Sequence, residues 1–304
     1  MREIERKFDL AQDAELPSLE GLDGVSAVGA PAVHELDATY YDTADGRLGR
    51  AGVALRRRRG GADEGWHLKQ SVGIDERLET QAPLGAPGDD VPEELAVLVR
   101  SRTRRRGVVP IATLMTERTV RPLLDAAGKV IAEVADDRVV GTDVRHDRTT
   151  TWREVEVELV DGDRDALDAV ARRLVDAGAT PSPWHSKLGR TLDERQPPAV
   201  GAVDADSSAG DVVTAHLAEQ VELLIRFDPL VRQDAPDAVH KMRVGTRRLR
   251  SALATFRRLL DRSVTDPIRD ELKWLAGALG AARDAEVIGA RLRELVDGEP
   301  AGTV

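Results

Sequence analysis

Arg2-Glu3-Ile4-Glu5-Arg6-Lys7-Phe8 is the stretch whose reading decides the fold. Alternate side chains of an extended strand share a face, so Glu3, Glu5 and Lys7 point one way and Ile4, Arg6 and Phe8 the other. The same sorting recurs downstream. Glu154, Glu156 and Glu158 alternate with Val155, Val157 and Leu159, Arg56 shares a face with Arg58, and Arg77 shares one with Glu79. On a half-exposed sheet such alternation puts the charges in water. Carboxylates paired on at least two strands, with cations paired on others, instead favour a closed sheet with a polar interior. That combination suits a triphosphate and a divalent cation. Mg²⁺ or Mn²⁺ takes hard oxygen ligands, and guanidinium groups offer forked donors to the remaining phosphate oxygens.

Working outward, strand-like segments with turn signals between them fall at 3–8, 53–59, 65–70, 76–84, 113–123, 130–136 and 151–159, the pattern of an antiparallel sheet or barrel. Helices are predicted at 91–102 and 164–177. The stretch 196–207, rich in Pro, Gly, Ser and small residues, reads as a linker between a domain at 1–195 and a second at 208–304. Beyond it the period becomes helical. Val239, Met242, Thr246, Leu249, Leu253, Phe256 and Leu260 step by three and four onto one packing face. Four helices are expected there, at 209–227, 235–261, 265–279 and 281–296. The predicted class is α+β: an antiparallel β domain followed by an all-α bundle.

The 304 residues suffice for two ordinary domains. The chain has no cysteine, which excludes disulfides and thiolate zinc sites. Its charged opening reads as a strand rather than a signal peptide. No apolar run approaches the ~20 residues of a membrane span, so a cytoplasmic, membrane-free protein is expected. A net charge of −10 opposes polyanions at long range. Locally, however, Lys241, Arg243, Arg247, Arg248, Arg250, Arg257 and Arg258 lie between Asp237 and Asp261 with no acid among them. With only two Tyr and three Phe, a stacking platform for bases is disfavoured, and no nucleic-acid partner is expected.

Taken in order, Glu3-x-Glu5-x-Lys7, Tyr41-Asp42-Thr43, Leu55-Arg56-Arg57-Arg58, His67-Leu68-Lys69, Arg77-Leu78-Glu79, Glu117-Arg118-Thr119, Glu133 with Asp137, Glu154-Val155-Glu156-Val157-Glu158 and Ser186-Lys187 resemble the CYTH, or triphosphate tunnel metalloenzyme, family. The resemblance runs to about Leu192. It implies an eight-stranded antiparallel β tunnel with external helices and a polar lumen for the triphosphate. By the same resemblance Lys7, Arg56, Arg58, Lys69, Arg118 and Lys187 bind phosphate. Glu3, Glu5, Asp137, Glu156 and Glu158 handle Mg²⁺ or Mn²⁺, and Glu3, Glu5, Lys7 and Lys187 form the catalytic set. Arg77, Glu79, Glu133 and Glu154 are further tunnel residues. Asp136 beside Asp137 leaves two registers open for that strand. His67 and His185 are expected to pack rather than act as bases.

The later segment from Val239 to Arg250, with Leu272-Lys273-Trp274-Leu275, Leu279-Gly280 and Arg283-Asp284, resembles the CHAD family of helical domains associated with inorganic polyphosphate. His240, Arg243, Arg247, Arg250 and Arg283 match its characteristic positions. The roughly 100 residues after the linker correspond to the first half of such a domain. The function implied is metal-dependent hydrolysis of a triphosphate, inorganic tripolyphosphate foremost, to pyrophosphate and phosphate. An adenylyl cyclase, a thiamine triphosphatase and a non-catalytic polyphosphate-binding module are the alternatives.

Overall fold

The computed structural model describes residues 2–61, 63–73, 76–86, 88, 90–194, 203–204 and 206–297, with the backbone alone at 2, 3, 71–73, 76, 77, 290 and 297. The chain forms two compact units, Met1–Pro197 and Pro198–Val304. Most of the expected linker, 196–207, lies outside the described residues.

The first unit is built on the strands β1 (Arg2–Asp9), β2 (Ala27–Val28), β3 (Ala32–Asp42), β4 (Val53–Arg59), β5 (Gly65–Gly73), β6 (Glu76–Ala82), β7 (Val109–Leu124), β8 (Val130–Asp143), β9 (Arg148–Leu159) and β10 (Thr180–Pro181). All the pairings are antiparallel. Residues 2–4 of β1 pair with β6 and residues 5–9 pair with β9, so the pairings run β1–β6–β5–β4–β3–β7–β8–β9 and return to β1. Seven of these eight strands fall on the expected segments; β3 is the one that does not, and it brings the ring to the eight that the resemblance implied. The two-residue strands β2 and β10 extend the sheet beside β7 and β1, which brings it to ten.

The strand chemistry is inverted relative to an ordinary sandwich, because the apolar faces point outward and are covered. On one flank Phe8, Val134, Val155 and Val157 pack beneath Leu167, Val170 and Leu174 of α2 (Arg164–Asp176). On another, Leu55, Trp66 and Leu68 pack beneath Leu95, Leu98 and Val99 of α1 (Glu93–Thr103). Asp163 starts α2 by accepting a hydrogen bond from the Ala166 N–H at 3.0 Å. Burying a side chain such as Leu or Phe contributes about 1.5–3 kcal/mol, and these covered faces hold the ring shut.

A third cluster lies inside the ring. Leu188 and Leu192 of α3 (Lys187–Leu192) pack on Ala38, Tyr40, Ala112, Leu114, Val139 and Trp152. Ser186 caps α3 through the Gly189 N–H at 3.0 Å. Gly141 on β8 permits the approach, since a Cβ there would stand 2.4 Å from Thr191 Oγ1 and 3.0 Å from Trp152. One end of the lumen is thereby apolar and carries Lys187 inward.

The second unit contains α4 (Ala209–Arg232), α5 (Ala238–Thr255) and α6 (Arg262–Asp297). Val239, Met242, Leu249 and Leu253 of α5 pack against Leu217, Leu224, Phe227 and Val231 of α4 and Leu272, Leu275 and Leu279 of α6. This corrects the expected four helices: 265–279 and 281–296 form one continuous helix through Gly280, and the expected 235–261 helix stops at Thr255. Gly280 weakens a helix by only about 1 kcal/mol and did not end this one. No helix among the described residues is long and apolar enough to cross a membrane.

Candidate active site

The register decides which charges meet. Lys7 lies opposite Glu156 and Glu5 opposite Glu158 across β1 and β9, while Glu156 lies opposite Ala135 and Glu154 opposite Asp137 across β9 and β8. Arg118 lies opposite Asp137, Arg56 opposite Tyr40, and Lys69 opposite Glu79. All of these residues belong to the inner face. The open register is settled: Asp137 is fully buried in the lumen, while Asp136 faces outward to pair with Arg153 through two bonds of 2.8 Å.

A dense ionic cluster occupies the inner wall beside α3. Lys187 Nζ stands 2.8 Å from Asp137, 2.7 Å from Glu154 and 2.7 Å from Glu156. Arg118 donates to both oxygens of Asp137 at 2.8 and 2.7 Å and to Glu156 at 2.5 Å. Lys7 pairs with Glu156 and, at 3.3 Å, with Glu5. Trp152 Nε1 donates to Glu154 at 2.5 Å. Burial alone would raise the carboxyls of Asp137 and Glu156. The cations Lys187, Arg118 and, for Glu156, Lys7 outweigh it, so both lie below the ordinary range and Glu156 far below. Lys187 is raised despite burial because three carboxylates surround it.

The facing wall carries positive charge with few acceptors. Arg56 Nη1 donates to Tyr40 Oη at 3.3 Å, and Arg58 pairs with Asp63 of the β4–β5 loop. The Nε atoms of both arginines are buried with no hydrogen-bond partner. Burial and the neighbouring Arg56 and Arg118 push Arg58 down to about 10, which still leaves it charged at neutral pH. Burial would raise the Tyr40 phenol, yet Arg56, Lys187 and Lys69 bring it below its ordinary value. Tyr40 is a lumen residue outside the expected set, because β3 lies outside the expected strand segments. The only signal was the pairing of an aromatic with Arg56 across a hairpin.

Two acidic groupings could hold a cation. Asp137, Glu154 and Glu156 offer oxygens that all lie within 4.8 Å of one another, but Lys187, Arg118 and Lys7 already neutralise them. Glu158, by contrast, has no hydrogen bond or ion pair among the described residues. Burial first, then Glu5 and Glu156 against an opposing Lys69, raise its carboxyl. Glu158 and Glu5, opposite one another across β1 and β9, bring hard oxygen donors together there, and such donors fit Mg²⁺ or Mn²⁺.

The remaining expected residues distribute as follows. The side chains of Glu3 and Arg77 lie outside the described residues, although their backbones are opposite one another across β1 and β6. Glu79 is buried against His67 at 2.6 Å and stands 3.6 Å from Lys69, and Glu133 is exposed. Asp42, in the Tyr-Asp-Thr motif, faces a turn: its carboxylate accepts from the N–H groups of Thr43, Leu48 and Gly49 at 2.6, 2.8 and 2.9 Å. A groove of about 580 Å³, lined by Glu35, Asp37, Arg59, Glu117 and Arg138 among others, contains none of the lumen cations.

A family model described as the CYTH domain matches residues 1–180. The chain belongs to the CYTH family. A CHAD domain model matches 215–304, so a CYTH domain is followed by a CHAD domain. An uncharacterized protein of Mycobacterium tuberculosis is 41% identical over 309 aligned residues, covering 97% of this chain. The chain spans 60% of that relative's length. Among solved structures, a Hippeastrum protein reported to show a dominant triphosphatase activity is 16% identical, with a TM-score of 0.36, covering 64% of this chain and 98% of the other. The Pct1 RNA triphosphatase of S. pombe is 14% identical, with a TM-score of 0.25, covering 63% and 80%. CYTH membership supports a triphosphate-tunnel type of activity, a phosphoanhydride hydrolase or cyclase dependent on metal.

Proposed function

We propose that this chain hydrolyses inorganic tripolyphosphate to pyrophosphate and phosphate with Mg²⁺ or Mn²⁺. The observation that carries the reading is the pair of buried, acceptor-less guanidinium nitrogens of Arg56 and Arg58, which face a wall of carboxylates across the lumen. A triphosphate presents the oxygens those donors lack. Arg56, Arg58 and Lys69 would take one part of the chain of phosphates, and Lys7, Arg118 and Lys187 the other. Arg118 and Lys187 are held rigidly by their carboxylates, so they meet developing charge without reorganising. Glu5 and Glu158, with Glu3, would hold the metal. When bound, such an ion neutralises phosphate oxygens and acidifies a bound water. The apolar plug of Leu188, Leu192 and Trp152 excludes bulk water from one end, which strengthens each of these interactions.

The unpaired arginines of α5 support a second, separate binding role. His240, Arg243, Arg247 and Arg250 recur at helical spacing, and the three arginines have no ion-pair partner among the described residues. We assign this stripe to inorganic polyphosphate. Arg283 is instead paired with Glu286 at 2.9 Å.

The test is phosphate release from tripolyphosphate, ATP and thiamine triphosphate in parallel, with Mg²⁺, Mn²⁺ or chelator. Fast, metal-dependent release from tripolyphosphate above the others supports the reading. Cyclic AMP and pyrophosphate from ATP would replace it with a cyclase, and tight binding without turnover would replace it with a binding module.

A further inference from the structure

His67 lies at the back of the cationic wall and is 1% exposed. Its Nε2 is 2.9 Å from the carbonyl oxygen of Asp63, and its Nδ1 is 2.6 Å from Glu79 Oε1. A carbonyl oxygen only accepts, so Nε2 carries a hydrogen. At 2.6 Å an imidazole nitrogen and a carboxyl oxygen also need a proton between them, on one or the other. The pair therefore holds one proton more than a neutral imidazole and a free carboxylate together. With both nitrogens engaged, His67 has no lone pair to offer a water in the lumen, which removes it as a general base. The second oxygen of Glu79 is 3.6 Å from Lys69 Nζ. A continuous path thus joins the Asp63 carbonyl, His67, Glu79 and the ammonium of Lys69.

We propose that His67 is a positioning residue that fixes Glu79 and, through it, aims Lys69 at the substrate, with one proton locked between His67 and Glu79. This rests on the assignment of Lys69 to phosphate binding. The same loop residue reaches both arms of the wall, since the Asp63 side chain pairs with Arg58 while its carbonyl holds His67. The groups facing the imidazole are Arg56 and Arg58 from β4, Lys69 from its own strand and Glu79 from β6. Burial first, with Arg56 and Arg58, disfavours charging the ring, while Glu79 favours it, and the net direction is downward. Glu79 is already counted in that balance, so the extra proton of the pair rests on the 2.6 Å and 2.9 Å contacts and not on a ring that charges easily.

The first measurement is nitrogen NMR of the full chain with labelled histidine, in which the His67 signals are assigned by their loss in His67→Asn. The expected spectrum keeps Nε2 protonated and Nδ1 hydrogen-bonded, with no titration near the ordinary imidazole value of about 6.5. An ordinary titration would overturn the proposal. The second is kinetics on tripolyphosphate. His67→Ala should raise KM on the order of tenfold with kcat little changed, and His67→Asn, whose amide can still donate to Glu79, should recover most of it. Loss of a true base would lower kcat by about 10²–10⁴, and that outcome with KM unmoved would also overturn the proposal. Adding Glu79→Gln to His67→Ala should cost less than the two changes separately, and full additivity counts against the path. Lys69→Ala distinguishes the underlying reading. If its KM is unchanged, the phosphate role of Lys69 fails, while the NMR result still decides whether the locked pair exists.

Discussion

Glu154 and Glu158 sit four residues apart on one strand face, yet their surroundings make them different groups. Glu154 receives Lys187 at 2.7 Å and the Trp152 N–H at 2.5 Å, whereas Glu158 has Glu5 and Glu156 as neighbours and no ion-pair partner among the described residues. Titration of the full chain with Mn²⁺ in the absence of substrate should therefore show Glu158→Gln weakened by about tenfold or more, equivalent to about 1.4 kcal/mol. Glu154→Gln should bind within about twofold of the parent, because that carboxylate serves Lys187. The reverse order would move the metal to the Asp137, Glu154 and Glu156 trio. Alternation alone put Glu5 with Lys7, Arg56 with Arg58, and Glu156 with Glu158 on common faces, since a period of two needs no tertiary knowledge; that these faces point inward followed from the paired carboxylates and cations on several strands. It could not distinguish a carboxylate already paired from one awaiting a partner, because that depends on Lys187, which arrives from a helix some 30 positions later. Nor could it show that Asp42 serves a turn. Asp42→Ala leaves three backbone donors without their acceptor, at about 1–3 kcal/mol for each that stays buried and unpaired. Urea unfolding should place this variant among the most destabilised single changes, and a loss below about 1 kcal/mol would contradict the assignment.

Strand β3 shows where local pattern fails as a guide to elements. Ala32–Asp42 puts Leu36, Ala38 and Tyr40 on one face with His34, and Glu35, Asp37 and Thr39 on the other with Val33 and Tyr41, so charge and apolar residues are mixed along both faces. The inner side runs from His34 to the apolar plug at Ala38 and Tyr40, and most of the outer side is exposed, which blurs the contrast that alternation requires. By comparison β4 was legible at both ends, because Val53 and Leu55 are covered by α1 and alternate with lumen arginines. The element most exposed to a single change is α3, since its seat depends on Gly141. Gly141→Val should cost about 1–3 kcal/mol through overpacking. It should also shift Lys187 and raise KM for tripolyphosphate; unfolding titrations and kinetics on the folded fraction would read the two effects separately. The β8–β9 hairpin gives a pH test remote from the lumen. Asp143 accepts from the Arg145 N–H at 3.0 Å and from His146 Nδ1 at 2.9 Å. Burial would raise its carboxyl, but His146 and Arg145 hold it below the ordinary value of 3.8. A lowered folded value contributes stability that is present above the unfolded value and lost as pH falls through the folded one. Asp143→Asn should therefore be less stable than the parent near neutral pH, and the gap should narrow below about pH 4. A gap that widens in acid would reverse the sign of the argument.

At the scale of the whole molecule, the net charge of −10 is compatible with the proposed binding of polyanions because the cations of each proposed surface are locally segregated. The tunnel encloses its cations in a low-dielectric wall, where salt screens little, whereas the α5 stripe stands at the surface, where the Debye length of about 8 Å at physiological ionic strength governs it. Arg243 and Arg247 are exposed, and His240 and Arg250 are half-buried beside the packed face of Val239, Met242 and Leu249. The two units should therefore respond differently to salt and to mutation. Replacing Arg243, Arg247 and Arg250 together by Gln should abolish retention of long-chain polyphosphate, and that retention in the parent should weaken steeply as salt rises. Turnover of tripolyphosphate should change by less than about twofold in the same variant, because none of the three lies on a strand of the tunnel. Arg56→Ala should give the opposite pattern, with polyphosphate retention kept and tripolyphosphate KM raised. If the triple variant retains polyphosphate as the parent does, the stripe is only a solvated helix face. If it loses tripolyphosphate turnover as well, the helical unit acts on the tunnel, and the separation argued from the strand register and the helical spacing does not hold.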